Sequence, residues 1–161
     1  MNGNMKGKVC LITGANSGIG KQTAVELASL GASVVMVCRN RLRGTVAQTE
    51  IMWQSGSNKL EVLVADLSSL SSVRRFSEKF LARYDRLDVL VNNAGIAVWN
   101  LSKSVDGIEL TFATNYLGHF LLTNLLLGIL KESSPSRIVN MSSVVHNMAP
   151  EIDFMHLKIL E

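Results

Sequence analysis

The eight residues Thr13-Gly14-Ala15-Asn16-Ser17-Gly18-Ile19-Gly20 constrain this chain more than any other stretch. An apolar run, Val9 to Ile12, precedes them and reads as a short buried strand. Residues 21–30 follow, with Thr23, Ala24, Leu27, Ala28 and Leu30 spaced for the inner face of a helix. A diphosphate beside such a strand–turn–helix meets backbone N–H groups and the positive end of a helix dipole, and residues without Cβ let it come close. Gly14 is expected to make the turn, Gly18 to admit the diphosphate, and Gly20 to let the helix pack tightly on the strand, with Asn16, Ser17 and Ile19 completing the surface. The spacing G-x-x-x-G-x-G is one residue longer at the front than the usual dinucleotide fingerprint. An ordinary tight turn uses the same residue types, so the flanks must decide.

Further along, Ser33 to Cys38 is a second apolar strand, and residues 41–55 form a helix ending near Gly56. A third strand covers 59–65. A helix over 68–84 turns Val73, Phe76, Phe80 and Leu81 inward, with Ser68 or Ser69 as its cap. Residues 87–91 make a fourth strand, Asn92 to Gly95 a turn, 106–130 a helix in one or two pieces, and Arg137 to Asn140 a fifth strand. Continuous Val, Leu and Ile strands separated by helices predict a parallel sheet covered on both faces, in strand order 3-2-1-4-5. Ligands of such sheets bind beyond the carboxyl ends of the strands, and Gly14, Arg39, Asp66, Asn92 and Ser143 all fall there.

At 161 residues the chain is about one domain, 1–161, and its 47% hydrophobic and 18% charged content indicates a well-buried core. The net charge of +3 is small and scattered, which argues against nucleic acid; the densest basic group, Arg39, Arg41 and Arg43, suits one small anion. Cys10 and Cys38 lie in expected strands without metal-ligand spacing, as buried thiols in a reducing compartment do. Residues 1–8 lack the apolar core of a signal peptide. The most apolar stretch, 120–130, has about half the length of a membrane span and holds Thr123 and Asn124. A cytoplasmic chain with no transmembrane segment is therefore expected. Neither Pro135 nor Pro150 marks a domain boundary.

Thr13 to Gly20, Asn92 to Gly95, Asn115 and Ser142-Ser143 together resemble the motifs of the short-chain dehydrogenase/reductase superfamily. Cys38-Arg39-Asn40, Asn115-Tyr116-Leu117-Gly118-His119-Phe120 and the run Ser136 to Ser143 are most similar to its retinol dehydrogenase branch. The resemblance implies a Rossmann-like α/β fold and an oxidoreductase that interconverts an alcohol and a carbonyl. Its substrate would be small, a retinoid or another lipid-like molecule. Arg39, where an acidic residue would bond a ribose 2′-hydroxyl, favours a 2′-phosphate by charge and by its fork of donors, so NADP(H) is expected over NAD(H). The plain alternative is a solvated surface arginine. In similar proteins the residues matching Asp66 and Leu67 meet the adenine; an N-cap role suits Asp66 equally well. Asn92, with Ala94 and Gly95, is expected beside the cofactor, and Asn93 in a structural role. Asn115 matches the asparagine that holds a water in a proton relay, or else it is an amide satisfied by nearby backbone. Ser143 matches the catalytic serine that orients the substrate oxygen, and Ser142 is its neighbour. His119 reads as a packed or interfacial histidine, and His146 has no matching role.

The same chemistry needs a tyrosine to move the substrate proton and a lysine four residues later to lower its pKa. Tyr84 and Tyr116 are the two tyrosines; both precede Ser143, and the i+4 positions hold Asp88 and Phe120. The Tyr-x-x-x-Lys pair is expected past Glu161, in a longer form that also carries the later strands. The chain thus reads as a truncated first half, with the alternative of a non-catalytic nucleotide-binding module or isoform. Its fifth strand is then an unpaired edge and the face of 120–130 lacks a partner, so reduced stability and association with itself or with a longer isoform are expected.

Overall fold

The computed structural model describes residues 4–148. Pro150 and the end of the chain lie outside them. Five strands, β1 (Val9–Thr13), β2 (Ser33–Cys38), β3 (Leu60–Val64), β4 (Val89–Asn92) and β5 (Arg137–Asn140), form one parallel sheet in the order β3-β2-β1-β4-β5. The order is the expected one. Alternate strand residues face opposite ways, which sorts the core into two layers. Cys10, Ile12, Val34 and Met36 pack with Ala24, Val25, Ala28 and Ile51 of helices α1 (Gly18–Ser29) and α2 (Arg41–Ser55). Leu11, Val35, Val37 and Leu90 pack on the other face with Phe76 and Phe80 of α3 (Leu70–Leu81), and with Leu122, Leu126 and Leu130 of a long last helix.

Local chemistry sets the ends of these helices. Asn40 caps α2 by accepting the Arg43 N–H, and Ser69 caps α3 by accepting that of Ser72. Helix α3 therefore starts at Leu70, two residues later than expected, because Asp66 to Ser69 form a turn in which Asp66 Oδ1 accepts both the N–H and the hydroxyl of Ser68. Two inward assignments change. Ser77 and not Leu81 completes the buried stripe Val73, Phe76, Phe80 of α3; its hydroxyl donates to the Val73 carbonyl, and Leu81 is exposed. On α1, Val25 is buried and Leu30, past the helix end, is exposed, while the Thr23 hydroxyl bonds the Ile19 carbonyl.

The long helix begins at Leu110, with Glu109 accepting the N–H groups of Thr111 and Phe112. Three residues of α4 (Leu110–Phe112) lead into a π-helical turn (Ala113–Leu117), where the Gly118 N–H reaches back to the Ala113 carbonyl, and then into α5 (Gly118–Glu132). Leu110–Glu132 is thus one helix of 23 residues, twice the apolar segment expected from sequence and, by length and composition, long enough to cross a membrane. Its stripe Leu122, Leu126, Ile129 and Leu130 is instead built into the core opposite α3.

Beneath the sheet, at the end away from the strands' carboxyl termini, the buried Asp88 accepts hydrogen bonds from Lys8, Arg86 and the Val9 N–H. Burial pushes its carboxyl up, but these three partners outweigh that and hold it well below the usual carboxylate range.

Candidate functional site

Two clefts open at the carboxyl ends of the strands. The first, about 340 Å³, is lined by Gly14, Asn16, Ser17, Ile19 and Gly20 from the turn between β1 and α1, Arg39 beyond β2, Asp66 and Leu67 beyond β3, and Ala94 and Gly95 beyond β4. Ten of the twelve positions singled out for a cofactor therefore meet in one cleft. Gly18 and Asn92 do not line it. Gly18 has φ +53° and open space where a side chain would be, consistent with a position that something approaches from outside.

The turn is closed by backbone contact. Gly14, at φ +67°, donates its N–H to the Val37 carbonyl, and a Cβ there would stand 2.9 Å from the Ala94 Cα. Asn93 donates its side-chain amide to the Thr13 carbonyl at 2.8 Å, tying the end of β4 to the end of β1. Helix α1 opens at Ser17 with no side chain capping its first N–H groups. Arg39 is exposed at the rim, and it and Asp66 are the charged groups lining the cleft. These features fit a dinucleotide diphosphate: bare N–H groups at a helix start, a glycine without obstruction, and a guanidinium beside it. Burial pushes the Cys38 thiol, next to Arg39, up to about 11, so it stays protonated near neutral pH.

Asn92, expected beside the cofactor, lines the second of the two clefts and not the first. The amide is buried, donating to Thr123 Oγ1 at 3.0 Å and Asn140 Oδ1 at 2.8 Å, and so knits β4 to α5 and β5. A strand's alternation explains this: Asn92 still belongs to the sheet, and the chain turns toward the cleft one residue later.

The second cleft, about 890 Å³, adjoins the first across Ala94 and Gly95, which line both. It holds Asn115, Tyr116, Phe120, Met141, Ser142 and Ser143, so the two residues expected to act on substrate share one space. Ser143 is exposed, its hydroxyl oxygen accepting the Val145 N–H at 3.3 Å. Asn115 bonds the backbone of Ile96 with both ends of its amide, accepting the N–H at 2.9 Å and donating to the carbonyl at 2.8 Å. Tyr116 is exposed at the cleft with Phe112 and Phe120 stacked on either side. Tyr84 lies elsewhere, bonded to Glu61 and stacked on Phe80, with its hydroxyl pKa raised by burial and by the carboxylate.

Sequence reasoning gave no role to Ile96 and Thr114, which also line the first cleft, or to Thr13 at the end of β1, which does not. A fully buried threonine at the end of an apolar strand was the available signal, because its hydroxyl must find partners there.

Residues 8–152 match the family model for short chain dehydrogenases. Retinol dehydrogenase 12 of Bos taurus is 52% identical over 142 residues, which are 88% of this chain and 45% of that protein. Retinol dehydrogenase 11 of Homo sapiens is 48% identical over 154 residues, 96% of this chain and 48% of that protein. The chain spans about half the length of these relatives. Among solved structures, a metagenomic short-chain oxidoreductase in complex with NADP aligns with a TM-score of 0.78 at 30% identity over 88% of this chain and 65% of the other. The Pseudomonas aeruginosa RhlG/NADP active-site complex aligns with a TM-score of 0.75 at 32% identity over 88% of this chain and 57% of the other. The glycine turn, the parallel sheet that carries it and the relatives that share both lead to one conclusion: the chain belongs to the short-chain dehydrogenase family, in the branch that holds the retinol dehydrogenases.

Proposed function

We propose that the chain, read as one nucleotide-binding domain, is the cofactor half of an NADP(H)-dependent oxidoreductase that interconverts an alcohol and a carbonyl. The carrying observation is the first cleft, where Arg39 stands at the rim of the same space as the Gly14–Gly20 turn and Asp66-Leu67. Bound there, the nicotinamide cofactor supplies or takes up the hydride. The N–H groups at the start of α1 hold the diphosphate, Gly18 leaves room for it, and Arg39 bonds the 2′-phosphate. Asp66 and Leu67 hold the adenine, Ala94 and Gly95 the cofactor's inner face. Two structural relatives are described as NADP complexes, which supports the choice of cofactor.

Ser143 orients the substrate oxygen by hydrogen bonding, and Asn115 serves a proton path once its amide is released from Ile96. Tyr116, Phe120 and Met141 give the second cleft an apolar wall suited to a retinoid or another lipid-like alcohol, as the names of the relatives suggest.

A second reading, a nucleotide-binding chain without turnover, is favoured by one observation: neither Tyr84 nor Tyr116 has lysine at i+4. Calorimetric titration of the chain with NADPH and NADH, beside Arg39→Ala, tests the cofactor site. NADPH is expected to bind more tightly, and the substitution to weaken NADPH about tenfold or more, as loss of a charge-assisted phosphate contact does, while changing NADH little. Equal effects on both nucleotides would remove Arg39 from the site. Saturable binding with no turnover of an alcohol or aldehyde would select the second reading.

A further inference from the structure

One buried histidine connects the two clefts. His119, in the first turn of α5, is 7% exposed, yet both of its ring nitrogens have partners. Nδ1 lies 3.1 Å from the Asn115 carbonyl oxygen. A carbonyl only accepts, so Nδ1 carries the hydrogen, and in the neutral ring Nε2 is then an acceptor. Thr13 Oγ1 lies 2.8 Å from Nε2 and must donate to it. The same oxygen accepts the N–H groups of Asn93 and Ala94, each at 2.9 Å. One donor and two acceptor sites are the whole capacity of a hydroxyl, and all three are used. The Val91 carbonyl, at 3.4 Å, is the longer alternative for the hydroxyl hydrogen.

This network fixes the wall between the clefts at both of its ends. Asn93 and Ala94 are held through Thr13, and Ile96 is held through the Asn115 amide, whose own backbone carbonyl bonds His119. Beside the ring, Gly118 packs so closely that a Cβ would fall on the Leu67 carbonyl oxygen, which seats this turn of helix against the opposite lip of the first cleft. We propose that His119 is a positioning residue: its neutral Nδ1–H form locks the wall from Asn93 to Ile96 between the two clefts and keeps Asn115 in register with it. Its effect on nucleotide affinity rests on the reading of the first cleft as a cofactor site; its effect on the wall does not.

Protonation would put an N–H on Nε2 facing an oxygen with no lone pair left, so one of three donors would have to leave. Burial likewise disfavours the charged ring and holds its pKa below the ordinary histidine value. Besides His119, the titratable residues lining the two clefts are Tyr116 in the second and Arg39 and Asp66 in the first, and none of these bonds the ring.

The test uses NMR of the 161-residue chain without nucleotide, and then NADPH titration, on the parent chain, His119→Gln and His119→Leu. The ring nitrogen shifts are expected to report Nδ1–H at pH 7. Amide exchange at Asn93 and Ala94, corrected for intrinsic pH dependence, is expected to quicken only as the parent is taken below the ordinary histidine midpoint of about pH 6.5, because burial delays charging of the ring. Glutamine, which can still accept the Thr13 hydrogen, should keep exchange within about threefold of the parent and abolish that pH response; leucine should raise it about tenfold or more, as loss of a buried hydrogen bond does. NADPH affinity should fall in the same order, and the phosphate's own titration cancels in the ratio of parent to variant. A ring charged or Nε2–H at pH 7, or exchange indifferent to both pH and the leucine, overturns the proposal. Should leucine prevent folding, the parent's tautomer and pH response decide it alone. If the exchange behaves as stated while no form binds NADPH, the cofactor reading falls and the positioning role stands.

Discussion

The two edge strands of the sheet differ sharply. β3 has Leu60 and Val62 buried under α2, and Gln48 of that helix donates its amide to the Leu60 carbonyl. β5 has all four residues exposed, with Ile138 and Val139 open on its opposite faces and Val144 and Val145 exposed just beyond. The same strand–helix–strand logic therefore produces a covered edge on the side of α1 and α2 and an open one beside α5. The first cleft is built mainly by the covered side, from loops that β1, β2 and β3 hold rigid. The second is built by the open side, and several of its lining residues stand on segments with less around them. The two clefts thus differ in how much of the fold stands behind them.

The largest effect should come from joining the two sides wrongly. Gly118→Val puts a branched side chain onto the Leu67 carbonyl, a backbone group that cannot move without shifting Asp66 and the first cleft. A loss of about 3 kcal/mol is expected from overpacking of this kind. Urea denaturation measures it, and a variant as stable as the parent would show that α5 is free to slide and that the two sides are not rigidly coupled. Next comes Asp88, which accepts the Val9 N–H from β1 with its side chain and the Arg137 N–H from β5 with its carbonyl. Asp88→Asn keeps the shape and removes the charge that Lys8 and Arg86 meet, for about 2 kcal/mol at pH 7. The folded carboxyl titrates below its unfolded value, so its contribution is present above about pH 4 and is lost as pH falls below that. The gap between parent and variant should shrink from pH 7 to pH 3 in matched denaturation curves; a constant gap would assign the loss to shape and not to charge.

How legible each side was in the sequence follows the same division. Strands β2 and β5 and helix α2 have the expected bounds, and the sheet order was fixed by right-handed crossovers between apolar runs. The first cleft was legible because its residues follow strand ends directly, and a position one residue past a buried strand leaves little choice of place. Asn92 falls in the second cleft for the same reason: it is the last residue of β4 and not the first beyond it, and a shift of one reverses the face. The Thr13–His119 bond was out of reach, since the two residues lie far apart in sequence and only the finished sheet sets α5 beside β1. Nor could the π-helical turn be read, because it widens a helix by hydrogen-bond pattern without any residue type that demands it.

The smallest change in stability belongs to the open edge, and it sharpens the contrast most directly. Val139 is about two-fifths exposed on β5, so replacing it by lysine removes little buried area, and the stability change should stay within about 0.5 kcal/mol. An edge strand with unpaired backbone and apolar side chains is nevertheless a template for a second strand, and a charge there opposes such pairing. Sedimentation of the parent chain should show self-association that Val139→Lys reduces several-fold, whereas a lysine at Val64 of β3, equally exposed by area on the opposite edge, should change it little. The two valines have the same type, the same exposure and comparable edge positions, but a helix lies over one strand and over the other none of its residues is covered. If both lysines lowered association alike, exposed apolar area would govern it. If only the β5 substitution did, the cause would be the open strand itself.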